Sequence, residues 1–431
     1  MRRAIFYCTF DGVANVYHGT GTQTEYFIGM LEKNYDALVQ DFGAFDVHVV
    51  IPDPASPCPR YDVNEPYYNA MKQKFSSIPA RLWEVPHGEE ILWCTEKWDE
   101  VSRGAALAIK EVIADYEEIL VIGVDAMYMP LADLLDDLLS PDEWQKLKLV
   151  TTFFSSSRIP GTSHTPGRFE LEQRCFERAA NDQRVFFADF GDYLSKHLAD
   201  EFGLDPGNLV PLRQALDLDH PKFVPMPERE ARGKVGEFGI PLDLPVVFSM
   251  SRADPVKGVP RAIEAVSRLT TPVHFVLISV PYSPEDPEIE QYRSQLESSV
   301  PSYTYITQFQ PELPRALCSL PEVRAVVCAS IGEPLGQVPQ EVSLWARDGG
   351  PLVVAPADGG FVEQMVHGQT GLLYEQGSIE DMTKCLERTL TMPEVEQKRL
   401  QREAFERTVR TRDFPSSFRQ TLSHVWATTE V

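Results

Sequence analysis

Positive charge is scarce in this sequence: 40 Lys and Arg stand against 64 Asp and Glu in 431 residues, a formal charge of −24 with His neutral. Docking on nucleic acid or on anionic lipid needs clustered Lys and Arg, so neither is expected as a partner. An acidic surface serves solubility, and an acidic cleft would also attract a cationic small molecule. Long apolar runs are lacking too, since none approaches the roughly 20 residues of a membrane span. Met1-Arg2-Arg3 leads at once into the short run 4–8, too brief for a secretory signal, and a cytoplasmic protein is expected. The seven cysteines (Cys8, Cys58, Cys94, Cys175, Cys318, Cys328 and Cys385) show no CxxC and no Cys/His ligand spacing. That pattern indicates neither a disulfide framework nor a zinc site, and reduced thiols are expected.

What is present is an ordinary globular composition, 43% hydrophobic, over a length that suits two α/β domains of about 200 residues. Short β-rich runs at 4–9, 47–51, 119–122, 149–154 and 185–188 alternate with segments of helical period. One such segment is 24–38, where Phe27, Met30, Leu31, Tyr35 and Leu38 share a face. This alternation predicts βα units on a parallel sheet. The stretch 55–98, rich in Pro, Tyr and Trp, fits poorly and reads as an insertion near a ligand cleft. A second series starts at 245–250 and runs through 273–280, 304–306, 325–329 and 351–355. The expected division is therefore an N-terminal domain at 1–222, a connector dense in Pro and charge at 223–244, a C-terminal domain at 245–405, and a last helix at 406–431 that crosses back to the first domain.

Three segments of the second series can carry chemistry. Ser251-Arg252-Ala253-Asp254-Pro255-Val256-Lys257-Gly258 follows a strand, and Pro260 opens a helix after it. Beyond the carboxyl end of a strand two cations beside a helix N-terminus suit a diphosphate, although two solvated basic residues in a turn would read the same. Gly332-Glu333-Pro334-Leu335-Gly336-Gln337-Val338-Pro339-Gln340-Glu341 places Glu333 on a loop and Glu341 in the first turn of a helix. Carboxylates accept from vicinal hydroxyls, so Glu341 suits a ribose and Glu333 a sugar, while Gly336 lets the backbone approach a ligand closely. Taken alone, Glu341 could equally serve the helix dipole and Glu333 be a surface acid. The third segment, Gly359-Gly360 through Glu363, is by itself a βαβ connection.

In this order and spacing the three segments resemble the donor domain of the retaining GT-B glycosyltransferases of family 4, the sucrose- and glycogen-synthase-like enzymes. Their pattern runs G-R-x-x-x-x-K-G, then E-x-F-G-x-x-x-x-E, then G-G-x-x-E. The likeness spans about residues 245–375 and departs at Leu335, where an aromatic is usual. It implies a GT-B fold of two Rossmann-like, doubly wound domains facing an interdomain cleft. It also implies that Arg252 and Lys257 neutralise the diphosphate of a nucleotide sugar, that Glu341 binds its ribose with Gly336 and Gln337 alongside, and that Glu333 contacts the transferred sugar. Neither a metal nor a separate cofactor is then expected.

In the N-terminal half His18-Gly19-Thr20-Gly21-Thr22 resembles the family's glycine-rich loop near the donor phosphates; it is not a full G-x-G-x-x-G, because Thr24 occupies the last position. Relatives carry a His after the fourth strand, where this chain has Asp125, which either orients a hydroxyl or caps the next turn. His18 and His164 are candidate acceptor contacts. Asp217-Leu218-Asp219 is an Asp-x-Asp that reads better as a turn than as a metal site. The expected reaction is sugar transfer with retention to a hydroxyl of a small soluble acceptor: a sugar, a sugar phosphate, or an aminocyclitol of natural-product type. The alternatives on the same fold are a phosphorylase, a hydrolase, an epimerase, a pseudo-glycosyltransferase, or a non-enzymatic sugar-nucleotide binder.

Overall fold

Val-, Ile- and Leu-rich runs that are buried on both faces need a sheet covered on both sides, and the chain supplies two of them. The computed structural model describes residues 2–16, 19–56, 58, 61–159, 165–281, 283 and 285–426. It divides into one unit of Met1–Leu218 with Arg412–Val431 and a second of Asp219–Thr411.

The first unit runs β1 (Arg3–Cys8), α1 (Gly19–Phe42), β2 (Phe45–Pro52), α2 (Glu65–Phe75), β3 (Ala80–Val85), α3 (Thr95–Val112) and β4 (Glu118–Val124). It continues through α4 (Leu131–Leu138), α5 (Pro141–Trp144), β5 (Leu147–Thr152), α6 (Arg168–Asn181), β6 (Val185–Ala188), α7 (Asp192–Phe202) and β7 (Leu209–Val210). The strands form one parallel sheet in the order β3-β2-β1-β4-β5-β6-β7. The order reverses between β1 and β4, where Ile5 lies opposite Leu120, so a crevice opens past their carboxyl ends.

The second unit begins with α8 (Glu228–Gly236) and β8 (Val246–Arg252), then α9 (Val259–Ser267), β9 (His274–Val280), α10 (Glu288–Ser299), β10 (Tyr303–Ile306), α11 (Glu312–Cys318) and β11 (Val323–Val327). It ends with α12 (Val338–Trp345), β12 (Leu352–Pro356), α13 (Phe361–Gln364), β13 (Leu372–Tyr374), α14 (Ile379–Thr391) and α15 (Glu394–Thr411), and α16 (Phe414–Val425) returns to the first unit. Its parallel sheet has the order β10-β9-β8-β11-β12-β13, reversing between β8 and β11. α16 lays Phe418 on Phe27 of α1, ring centroids 5.3 Å apart.

Three sequence expectations need correction. The stretch 55–98 is no insertion: it holds α2, β3 and the start of α3, and β3 pairs with β2 in register. As an edge strand β3 exposes Arg81 and Glu84, and these charges hide its strand pattern. The stretch 223–244, expected as a connector between domains, is part of the second unit, where α8 buries Ala231 and Val235 in the core beside Leu313 and Leu317. Thirdly, α1 starts at Gly19 rather than Thr24, so Gly19 and Gly21 lie in its first turn. Gly21 packs on Asp11, whose carboxylate a Cβ there would meet at 2.5 Å.

Candidate active site

The second unit's switch point gathers the expected donor residues. β8 ends at Arg252, and Asp254 Oδ1 accepts from Val256 N at 3.1 Å, folding the 3-10 turn Pro255–Lys257. Gly258 follows with φ +64, and a Cβ there would lie 2.1 Å from Ala329 O. Only glycine closes this turn against the end of β11. Pro260 then stands in the first turn of α9, after Val259. Ile331 N donates to Val256 O at 2.8 Å, so the loop after β11 is tied to the loop after β8.

That tie brings two charges together: Lys257 Nζ reaches Glu333 Oε2 at 2.5 Å, both side chains about one-fifth exposed. Burial works to raise the Glu333 pKa, but the Lys257 charge and hydrogen bond, the Gly336 N–H and the Arg252 charge outweigh it and hold the carboxyl below its usual value. Glu333 is therefore an anion here. Arg252 is exposed, with Nη2 3.6 Å from Asp254 Oδ2. Gly336 has φ +58 and sits over the Phe361 ring, so the aromatic packing under this turn comes from α13 rather than from position 335. The Gly359-Gly360 turn between β12 and α13 packs against this loop, Gly360 N donating to Glu333 O at 2.9 Å.

Gln337 precedes α12, and Glu341 stands in that helix's first turn with Pro339. The sequence gives no sign of its partner: Lys222, from the 3-10 turn Pro221–Phe223, places Nζ 3.5 Å from Glu341 Oε1. No motif spacing links residues so far apart along the chain.

At the first unit's switch point Asp125 follows β4 with φ +69 and ψ −179, the one described non-glycine residue with positive φ. This conformation is nearly confined to glycine. The side chain is buried, and Oδ1 accepts from Ala126 N at 2.9 Å, capping the 3-10 turn Ala126–Tyr128. Gly19 is exposed at the start of α1. His18 and His164 lie outside the described residues. Asp217 accepts from Lys33 Nζ at 2.8 and 2.7 Å, one on each carboxylate oxygen, which accounts for it as a structural ion pair. Among the described residues no three His, Cys, Asp or Glu side chains gather as metal ligands would.

Solved structures share this architecture. Sucrose-phosphate synthase from Thermosynechococcus elongatus superposes with a TM-score of 0.70 at 16% identity, covering 99% of this chain and 100% of that one. The Anabaena protein Alr3699/HepE in complex with UDP-glucose gives 0.68 at 14% identity, covering 98% and 99%. With its two parallel sheets the chain has the GT-B fold of two Rossmann-like units.

A family likeness covers most of the second unit. Residues 234–407 match the family "Glycosyl transferases group 1". Over 175 residues it is 30% identical to the alpha-maltose-1-phosphate synthase of Mycolicibacterium smegmatis, a match covering 39% of this chain and 43% of that protein. The chain thus spans less than half of this relative's length. No helix among the described residues is long and apolar enough to cross a membrane.

Proposed function

We propose that this chain moves a sugar from a nucleoside-diphosphate sugar to a hydroxyl of a small soluble acceptor, with retention at the anomeric carbon and without a metal. The observation that carries the proposal is the Lys257–Glu333 pair beside Arg252, at the β8/β11 switch point of the region that matches glycosyl transferases group 1. The bond that breaks joins the anomeric carbon to a phosphate oxygen, and negative charge collects on the departing diphosphate. Lys257 and Arg252 stabilise that charge most in the transition state, where it is largest. Glu333, already ionised, accepts from hydroxyls of the sugar. The acceptor hydroxyl enters on the face the diphosphate leaves, forms the new glycosidic bond, and gives its proton to the leaving phosphate oxygen. No protein nucleophile is used, and Asp125 orients the acceptor hydroxyl.

Alr3699/HepE is a structural neighbour bound to UDP-glucose, which makes a UDP sugar the first donor to try. The test incubates UDP-, GDP- and ADP-sugars with sugars, sugar phosphates and aminocyclitols, following nucleoside diphosphate release and the product's anomeric configuration by NMR. Acceptor-dependent release with the donor's configuration, unchanged by a chelator, is expected. Cleavage supported by phosphate or water alone points to a phosphorylase or hydrolase. A donor that is bound yet intact with every acceptor points to a sugar-nucleotide binder.

A further inference from the structure

The chain enters its second unit at Asp219 and, three residues on, places a cation against the carboxylate assigned above to ribose. The backbone that carries this cation is pinned. Trp345 Nε1 donates to Lys222 O at 2.7 Å, Lys222 N donates to His220 Nδ1 at 3.3 Å, and the neighbouring Phe223 is 2% exposed. Glu341 and Trp345 are four residues apart on α12 and so share a face. One helix face therefore both anchors the turn and receives its ammonium.

We propose that Lys222 is a positioning residue that sets the Glu341 carboxylate to read the vicinal 2′- and 3′-hydroxyls of a nucleotide's ribose. The inference rests on the donor reading of this site. A glutamate at the rim of a helix samples several rotamers, and fixing one oxygen from a rigid turn removes that freedom before a ligand arrives. The second oxygen, and the lone pairs Lys222 leaves unused, stay able to accept from a diol. Charge argues the same way. A bare carboxylate on a chain of net −24 would repel the diphosphate attached to that ribose, and the ammonium offsets it locally. A ligand lacking the 2′-hydroxyl would leave the oriented carboxylate short of a donor, so the arrangement selects ribose over deoxyribose.

Calorimetric titration of the full chain with UDP, GDP and ADP and with their 2′-deoxy counterparts tests this without any acceptor. The wild type is expected to prefer the ribonucleotide by roughly tenfold. Lys222→Met should bring that ratio down to about twofold or less, while Lys222→Arg keeps it; ligand-free melting of each variant checks the fold. A Lys222→Met protein that keeps the wild-type ratio overturns the inference and leaves the donor reading standing. So does a wild type that binds nucleoside diphosphates with no preference for ribose. A wild type that binds no nucleoside diphosphate overturns the donor reading and this inference with it.

Discussion

At the scale of single residues, Glu333 and Lys257 are each other's nearest charge, and the pair reacts to loss of either member. Glu333→Ala and Lys257→Ala should each lower turnover by about a hundredfold or more, the size seen when one electrostatic stabiliser of a transition state is removed. Steady-state rates with the best donor and acceptor check this; near-wild-type rates in both variants contradict the site. Asp125 poses a different problem, since its backbone is held where few residues but glycine go. Asp125→Gly relieves that strain while removing the carboxylate, so its melting temperature should stay near or above the wild-type value while turnover falls. A variant that melts lower and turns over normally would make Asp125 a cap and nothing more. Arg252, Lys257, Glu333 and Glu341 were legible because each belongs to a short local motif. Lys222 was not, because its meeting with Glu341 depends on tertiary packing, and no residue pattern signals the positive φ at Asp125.

At the scale of elements, two buried polar groups fix the loops and strands of the first unit. Glu172 on α6 accepts from Arg168 Nε at 2.7 Å and from Ser157 N at 3.0 Å, and Arg168 Nη2 donates to Ser155 O at 2.8 Å. The ion pair is essentially inaccessible, 2% and 0% exposed, and it ties the loop after β5 to the helix that follows. Glu172→Ala strands the Arg168 charge and should cost about 3–5 kcal/mol in denaturant unfolding; a cost under about 1 kcal/mol would contradict the account. His48 on β2 accepts from Trp83 Nε1 at 3.0 Å through Nδ1 and reaches the Tyr116 hydroxyl at 2.9 Å through Nε2. An indole only donates, so Nδ1 carries no proton and the ring is neutral. Burial lowers its pKa to about 4, with Asp46 partly opposing and Arg81 and Arg2 assisting.

Below about pH 6.5 the unfolded chain protonates this histidine and the folded chain does not, so stability falls as the pH drops from that value to about 4. Urea midpoints at pH 7 and pH 4.5 should show a smaller acid loss in His48→Gln than in the wild type; equal losses would contradict a neutral His48. Central strands such as β1 and β4 were plain in the sequence, being uninterrupted apolar runs. β3 and α8 were hidden for opposite reasons: the edge strand carries exposed charge, and the helix shows few apolar residues although two are fully buried.

At the scale of the molecule, the second start of the βα alternation announced two units, and each sheet reverses its strand order once. The chain changes units at Asp219 and again at Arg412, where the sequence reading set the divisions at 223 and 406. Yet the ligand ends were foreseeable, since the loops after β8 and β11 must face the crevice at the switch point whatever their sequence. The central claim is that the second unit holds a nucleoside diphosphate through Lys257 and its neighbours. Isothermal titration of UDP, GDP and ADP into the wild type and Lys257→Ala tests it directly. The account predicts one-to-one binding of at least one nucleotide to the wild type, weakened roughly tenfold or more by the substitution; no binding by any of the three, or equal binding by both proteins, would contradict it.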